Sequence, residues 1–152
     1  MEDRVQKAVE LFKSGYNCSQ SVVAAFADMY GFTQEQALRM GASFGGGIGR
    51  MRETCGAACG MFLVAGLETG ATEATDREGK AANYAVVQEL AAEFKKRNGS
   101  LICGGLLGLK KKEPVSTIPE ERTAQYYSKR PCAKMVEEAA RIWSEYLENH
   151  PK

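Results

Sequence analysis

The sequence predicts an all-α fold, a single-domain bundle of about six to eight helices with cysteines at helix N-termini. Apolar residues recur at three- and four-residue spacing along most of the chain, as on one face of a helix. Suitable N-cap residues precede several of these stretches, and glycines follow them. No segment alternates apolar and polar residues clearly enough to predict a strand. For a chain of 152 residues, one domain over residues 1–152 is the simplest organisation.

The N-terminal third contains three predicted helices. The apolar stripe of the first consists of Val5, Ala8, Val9 and Phe12. Gly15 ends this helix, and Asn17 is a suitable N-cap for the second. Cys18 then lies in the first turn of the second helix and on its apolar face. Thr33 and Gln36 have the spacing of a capping box and predict a third helix.

Two further helices are predicted in the middle of the chain. A glycine-rich run at residues 45–49 leads into a helix over about residues 55–67, for which Thr54 is the expected N-cap. A long helix follows, with Thr72 as its expected N-cap and Gly99 as its stop. The residues of this long helix that we expect to face inward are Tyr84, Val87, Ala91 and Phe94.

The C-terminal third is predicted to hold three helices separated by a loop. Ser100 caps a short apolar turn over residues 101–107, which places Cys103 within a first turn. Residues 108–116 are the expected exposed loop. Pro119 and Pro131 suit the first positions of the last two helices, the earlier of which runs to about residue 128. The apolar stripe of the last helix consists of Cys132, Val136, Ala139 and Trp143.

Composition and charge exclude several classes of function. The chain carries 20 Lys and Arg against 19 Asp and Glu, a formal net charge of +1, so we expect no nucleic-acid partner. The apolar run at residues 61–66 is far shorter than the roughly 20 residues of a membrane span, and we expect no membrane partner. The acidic start of the chain does not resemble a secretory signal, so the expected location is cytoplasmic.

The chain contains five cysteines. An odd number of cysteines without an export signal does not indicate a disulfide framework, because a reducing cytosol keeps thiols free. Metal ligation, thiol redox chemistry and simple burial remain as interpretations.

Four of the cysteines share one kind of position, the beginning of a predicted helix. They are Cys18, Cys55, Cys103 and Cys132. If the four helix N-termini converge, four thiolates surround one point at which helix-end N–H groups are also directed. Such a site suits an anionic metal–thiolate centre, with iron–sulfur or zinc as the metals that sulfur ligands favour. The alternative is that each cysteine is a small apolar residue buried for packing.

The segment around Cys55 is the centre of this pattern. A helix N-terminus lowers the pKa of a thiol, so Cys55 is expected to favour the thiolate, with Cys59 on the same helical face. Gly56 and Gly60 are unusual inside a helix, where glycine costs about 1 kcal/mol relative to alanine. Their missing side chains predict either a closely packed neighbouring helix or a prosthetic group against the backbone.

The order of these residues resembles the C_GCAxxG_C_C family, whose members are described as redox-active, from about residue 5 to residue 147. The features that match are Asn17-Cys18, the glycine run at 45–49, Cys55-Gly56-Ala57 with Gly60, Cys103 and Cys132. The resemblance implies a small, helical, cytoplasmic protein in which the four cysteines are the defining residues. A related domain of split-Soret cytochrome c accompanies an iron–sulfur centre, although this chain lacks the haem-attachment motif. Cys59 is an extra thiol, with a resolving cysteine, an alternative ligand and packing as its interpretations.

Three functions follow as hypotheses. The first is a redox protein that holds a metal centre, most simply an iron–sulfur cluster, through the four cysteines and acts in electron transfer or redox sensing. The second is a metal-free thiol–disulfide oxidoreductase or sensor that uses two of the five thiols. The third is a structural helical interaction protein with buried cysteines or zinc. An oxidoreductase is the expected partner, a homodimer is compatible with the sequence, and enzymatic activity is left open.

Overall fold

The computed structural model describes residues 1–106, 116–129 and 131–151, with the backbone alone for 127–129. The described residues form eight α-helices and no strand, so the all-α prediction is confirmed. The helices are α1 Glu2–Lys13, α2 Cys18–Phe26, α3 Gln34–Gly41, α4 Gly56–Thr69, α5 Arg77–Asn98, α6 Cys103–Leu106, α7 Ala124–Lys129 and α8 Cys132–Asn149. Short 3₁₀ turns, Ala27–Tyr30 and Ala42–Phe44, extend α2 and α3. None of the described helices combines the length and the apolar character that a bilayer crossing requires.

Two helices begin at the capping boxes that the sequence predicts. The Asn17 side chain accepts a hydrogen bond of 2.8 Å from the amide of Gln20, whose side chain accepts one of 3.0 Å from the amide of Asn17. Thr33 and Gln36 form the same reciprocal pair at the start of α3. Each box satisfies two of the free amides at a helix start, and it therefore fixes where α2 and α3 begin.

The start of α4 differs from the prediction by one residue. Cys55 is the N-cap, and Thr54 instead forms an isolated antiparallel bridge with Ile102. Thr54 therefore takes part in a backbone pairing beside the helix and is not its N-cap. Cys55 therefore lies immediately before the first turn, with the free amides of that turn beside its thiol.

The start of α5 also lies later than predicted. Asp76, not Thr72, is the N-cap, and its carboxylate accepts a hydrogen bond of 2.8 Å from the amide of Gly79. The prediction that Tyr84 faces inward is wrong, since 60% of this side chain is exposed. Leu90 and Phe94 supply the buried part of α5, which lies in its C-terminal half.

The predictions for the C-terminal third are correct only in part. The Ser100 hydroxyl accepts a hydrogen bond of 2.9 Å from the amide of Ile102, and α6 follows. Pro119 does not open a helix, because α7 begins at Ala124 after a non-helical segment. Pro131 is the N-cap of α8 and not its first residue. The predicted end of the short turn at 107 and nearly all of the predicted loop at 108–116 lie outside the described residues.

Helix α2 is the centre of the bundle. It packs against α1, α3, α4 and α8, and seven of its nine residues are buried. The large side chains that fill the core around it are less than 2% exposed. They are Phe12, Phe26, Met61, Phe94 and Trp143. Because nearly every side of α2 is covered, its N-terminus and Cys18 have a fixed position within the fold.

Glycines allow the backbone of α2 to approach its neighbours closely. A Cβ atom at Gly60 would lie 2.9 Å from the carbonyl oxygen of Ser19 and 3.0 Å from Cβ of Val22. At Gly41, on the other side of α2, it would lie 2.8 Å from the amide nitrogen of Gln20. The closely packed neighbouring helix that Gly60 predicts is therefore present, and that neighbour is α2.

We predict that Gly60→Ala lowers the free energy of unfolding by about 1–3 kcal/mol, because the new methyl group overlaps the backbone of α2. Gly66→Ala in the same helix is the matched control, since a Cβ atom at Gly66 would have no neighbouring atom within 4 Å. This second change should raise the free energy of unfolding by about 1 kcal/mol through helix propensity. Urea denaturation of both variants measures the difference, and equal effects would contradict the assigned packing.

Candidate cysteine site

Four of the five cysteines line a single cavity with a volume of about 310 Å³. They are Cys18, Cys55, Cys103 and Cys132. Cys18, Cys103 and Cys132 are the first residues of α2, α6 and α8, and Cys55 is the N-cap of α4. The predicted convergence of four helix starts therefore occurs in the folded chain.

Cys18 and Cys132 form one half of the site. Their thiols are hydrogen-bonded to each other although the residues are distant in sequence. Cys18 is fixed by the capping box at the start of α2, and Cys132 follows Pro131 at the start of α8. Direct packing of α2 against α8 brings these two helix starts together. Both cysteines are partly exposed.

Cys55 and Cys103 form the other half of the site, and backbone hydrogen bonds join them. The amide of Cys55 donates to the carbonyl of Leu101, and the amide of Cys103 donates to the carbonyl of Glu53, each at 2.6 Å. These bonds flank the bridge between Thr54 and Ile102. Both thiols are buried. The pairing fixes the position of α6, a helix of only four residues, relative to the start of α4.

The glycine-rich loop between α3 and α4 has an uncommon backbone. Residues 46–50 all have positive φ angles, as does Arg52, so the loop follows a left-handed path. The non-glycine residues in this region are Ile48 at 64°, Arg50 at 63° and Arg52 at 62°. Such residues cost about 1–3 kcal/mol each and persist where the surroundings enforce them. This loop forms one wall of the cysteine cavity.

Hydrogen bonds and close packing enforce that path. The amides of Gly49, Arg52 and Glu53 donate to carbonyls six residues earlier, at 2.7, 3.2 and 2.9 Å. A Cβ atom at Gly47 would lie 2.5 Å from Cβ of Cys103, and one at Gly45 would overlap the Asn17 side chain. The loop therefore contacts the residues around both halves of the site, which explains its glycines.

Burial determines the protonation of Cys55. Removal from water raises the pKa of its thiol to about 12, although the nearby backbone amides of Ala58 and Ala57 act in the opposite direction. The prediction that the helix N-terminus leaves Cys55 with a lowered pKa is therefore wrong. The helix-end amides are present, but the cost of burying a thiolate outweighs them.

The hydrogen bond with Cys132, together with burial, raises the pKa of Cys18 well above its usual value. A thiol that donates to a neighbouring sulfur keeps its proton, and the nearby thiols disfavour additional negative charge. Without a bound cation, Cys18 and Cys55 are therefore neutral thiols at physiological pH.

Cys59 occupies a separate position. It does not line the cavity, and its thiol donates a hydrogen bond of 3.8 Å to the carbonyl of Thr54. Burial raises the pKa of Cys59 to about 11. This environment fits the packing interpretation of Cys59.

Arginine side chains that the sequence analysis did not single out also line the cavity. Arg52 donates from Nη1 to Sγ of Cys103 over 3.7 Å. Arg122 donates to the carbonyls of Phe12 and Tyr16 at 3.1 and 3.0 Å and lies over the Phe12 ring. Arg50 is the third arginine. The only signal in the sequence is that Arg50 and Arg52 lie between the glycine run and Cys55.

The cysteines surround the cavity without meeting at one point. In the part of the chain that the structure describes, no three His, Cys, Asp or Glu side chains are placed to hold one metal ion. The four thiols are nevertheless the chemical groups that bind iron, iron–sulfur clusters and zinc. The arrangement therefore offers soft ligands around a volume, with hydrogen-bond donors directed at two of them.

The raised pKa values predict how the stability of the reduced, metal-free protein depends on pH. The folded state holds the Cys55 and Cys59 protons up to pH values of about 12 and 11, whereas an unfolded thiol loses its proton near 8.5. The stabilisation is complete below about pH 8.5 and is lost as pH rises toward the folded values. The free energy of unfolding in urea should therefore fall between pH 8 and 11.

The matched control for this prediction is a variant in which Cys55 and Cys59 are both alanine. Its free energy of unfolding should fall less steeply over the same range, because two of the responsible protons are absent. Identical slopes in the two proteins would show that other groups cause the pH dependence.

Comparison with known protein families gave a match that covers the cavity cysteines. A family model described as "Putative redox-active protein (C_GCAxxG_C_C)" matches residues 16–146, which include all four cysteines of the cavity. Comparisons with curated proteins and with solved structures gave no significant match. Since the family model covers most of the sequence, the chain belongs to the C_GCAxxG_C_C family.

Proposed function

We propose that the protein holds an iron–sulfur cluster through four cysteines and acts in electron transfer or redox sensing. The ligands are Cys18, Cys55, Cys103 and Cys132. The observation that carries this proposal is that four thiols from four different helix starts line one cavity. Cysteines buried only for packing would have no reason to share one cavity while Cys59 lies outside it.

The spacing of the thiols supports a cluster as the bound group. A single tetrahedral ion requires four sulfurs at about 2.3 Å from one centre. A cluster distributes its cysteines over several iron atoms, and its ligands therefore stand around a volume. The cavity fits the second arrangement, because the four cysteines, together with other residues, line a volume of about 310 Å³.

Hydrogen-bond donors in the cavity wall support an anionic centre. Arg52 donates to Sγ of Cys103, and the backbone amides of Ala57 and Ala58 lie near Cys55, where they favour its thiolate. Donors to the sulfurs and nearby positive charges stabilise a cluster and adjust its reduction potential. When bound, the cluster supplies one-electron redox chemistry, while these residues orient the thiolates and offset their charge.

The neutral thiols of the metal-free site couple binding to proton release. Thiols bind metal as thiolates, so the Cys18 and Cys55 protons must leave as a metal replaces them. Because the pKa values of these two thiols are raised, metal binding should become stronger as the pH rises. We also propose a cytoplasmic location, because a reducing cytoplasm keeps such thiols free to bind a metal.

The partial exposure of two ligands indicates where electrons would pass. Cys18 and Cys132 are partly exposed, whereas Cys55 and Cys103 are buried. We infer that an oxidoreductase partner approaches the Cys18 and Cys132 side, where the path to the centre is shortest. A homodimer, which is compatible with the sequence, remains a prediction.

The contact between Cys18 and Cys132 favours a second candidate function, metal-free thiol–disulfide exchange. The two hydrogen-bonded thiols would give two electrons and two protons to a partner disulfide and become joined by an S–S bond. The raised pKa of Cys18 opposes this role, because the attacking species is a thiolate. The local pair of Cys55 and Cys59 is less suitable, since the Cys59 thiol is directed at the Thr54 carbonyl.

We predict that Cys55→Ser removes most of the bound iron and the broad visible absorbance of the anaerobically purified protein. Cys59→Ser is the matched control in the same helix, and it should keep both, because Cys59 does not line the cavity. Iron, zinc and acid-labile sulfide are measured on the same samples. Thermal unfolding of each variant shows whether it is folded.

The outcomes separate the candidate functions. Iron with sulfide in the wild-type protein and its loss in Cys55→Ser support the cluster. Stoichiometric zinc without iron favours a structural zinc site. Protein that stays metal-free after attempted reconstitution rejects the cluster and favours thiol–disulfide exchange between Cys18 and Cys132.

For the cluster-loaded protein, we predict that Arg52→Gln makes the reduction potential more negative. The guanidinium of Arg52 donates to Sγ of Cys103 and stabilises the additional negative charge of the reduced state. Arg52→Lys keeps a positive charge without the fork and should give an intermediate potential. Spectroelectrochemical titration measures the three potentials. An unchanged potential in Arg52→Gln would exclude this role for Arg52.

A further inference from the structure

The loop wall of the cysteine cavity also carries a buried positive charge. Arg50 lies there with 18% of its side chain exposed. Among the described residues, Nη1 of Arg50 is buried without a hydrogen-bond partner. A buried guanidinium donor that lacks an acceptor is costly, because it has given up its hydrogen bonds to water.

Glu120 satisfies this charge only in part. Its Oε1 lies 3.9 Å from Nη2 of Arg50, which is longer than a hydrogen bond, and its own side chain is 45% exposed. The other cavity arginines already have defined acceptors, since Arg52 donates to Cys103 and Arg122 to two backbone carbonyls. Arg50 therefore has an N–H group that can still donate a hydrogen bond to a ligand.

The backbone of Arg50 supports a role beyond local stability. Arginine rarely adopts a φ angle of 63°, and asparagine or glycine would hold this position at lower cost. The amide of Arg50 donates to the carbonyl of Gly45 at 3.1 Å, which any residue could do. The backbone at this position therefore gives no reason for arginine, whereas a ligand of the guanidinium does.

We propose that Arg50 forms a subsite for a small monocarboxylate within the cysteine cavity. A carboxylate matches the planar fork of a guanidinium and can accept two hydrogen bonds from it. Arg50 lines the cavity, so an acceptor placed there lies beside its side chain. The nearby Glu120 disfavours an anion that carries more than one negative charge.

The rest of the wall suits the organic part of such a ligand. Apolar side chains or ring faces come from Leu106, Pro119, Tyr126 and Met135. A volume of about 310 Å³ is at the lower end of the range for ligand pockets, and the cysteines occupy one side of it. A short aliphatic acid such as butyrate fits this combination of charge, apolar surface and size better than inorganic phosphate.

The test is calorimetric titration of the full-length, anaerobically purified protein with butyrate and, separately, with inorganic phosphate. Arg50→Asn should weaken butyrate binding by about tenfold or more, as expected when hydrogen bonds to a charged group are lost. Asparagine tolerates the left-handed backbone, so the melting temperature of Arg50→Asn should not fall. Arg50→Lys, which keeps the charge without the fork, should bind with intermediate affinity.

Arg39→Asn is the matched control, because Arg39 is 80% exposed on α3, pairs with Glu35 and does not line the cavity. It should bind butyrate as the wild type does. Absence of butyrate binding by the wild type, equal binding by Arg50→Asn, or tighter binding of phosphate than of butyrate would each overturn the proposal. Iron analysis of the titrated sample keeps this result separate from that for the cluster, since binding is measured whether or not iron is present.

Discussion

The close approach of backbones around the start of α2 is the constraint on which the rest of the structure depends. A Cβ atom at Gly56 would lie 2.7 Å from the carbonyl oxygen of Phe44 and 3.4 Å from Cβ of Cys18. Together with Gly60, this glycine lets α4 and the glycine-rich loop contact α2 without intervening side chains. Two cysteine-bearing helix starts therefore reach the same cavity. Larger residues at these positions would separate the starts of α2 and α4, and the four thiols would no longer face one volume.

The glycine-rich loop between α3 and α4 contains strained backbone beside the cavity. Three non-glycine residues there have positive φ angles, and hydrogen bonds spanning six residues hold the path. Because of this path, the loop contacts Asn17 and Cys103, and Arg50 and Arg52 lie in the cavity wall. The strain is concentrated where charged groups meet thiols, as expected for a segment whose conformation serves a site more than the stability of the fold.

Burial and nearby positive charge have opposite effects on the protonation of the cavity thiols. Desolvation raises the pKa values of Cys55 and Cys59, and the hydrogen bond between thiols raises that of Cys18. The helix-end amides and Arg52 act in the other direction, toward the thiolate. Without metal, Cys18 and Cys55 therefore keep their protons, and a bound cation can replace them within a wall that already contains a donor to sulfur. The same arginine-rich wall provides the charge for the proposed carboxylate subsite.

The sequence specifies directly those helices whose starts and ends depend on local interactions. Capping boxes at Asn17 and Thr33, and the stops at Gly15 and Gly99, depend on residues within one or two turns, so their positions were predictable. It also determined that four cysteines stand at or beside helix starts. Predictions failed where a distant or competing partner was involved, as when Ile102 holds Thr54 in a bridge and Asp76 replaces Thr72 as the N-cap.

The surroundings of the cysteines depend on how the helices pack against one another. Whether a thiol at a helix start has a low or a high pKa depends on the balance between nearby amides and exclusion of water, and burial is a property of the whole fold. The separation of Cys59 from the other four thiols, and the placement of Arg50 and Arg52 in the cavity wall, follow from a loop path that no local pattern specifies. Periodicity and capping are short-range, whereas a cavity is made by residues that meet only after the helices have packed.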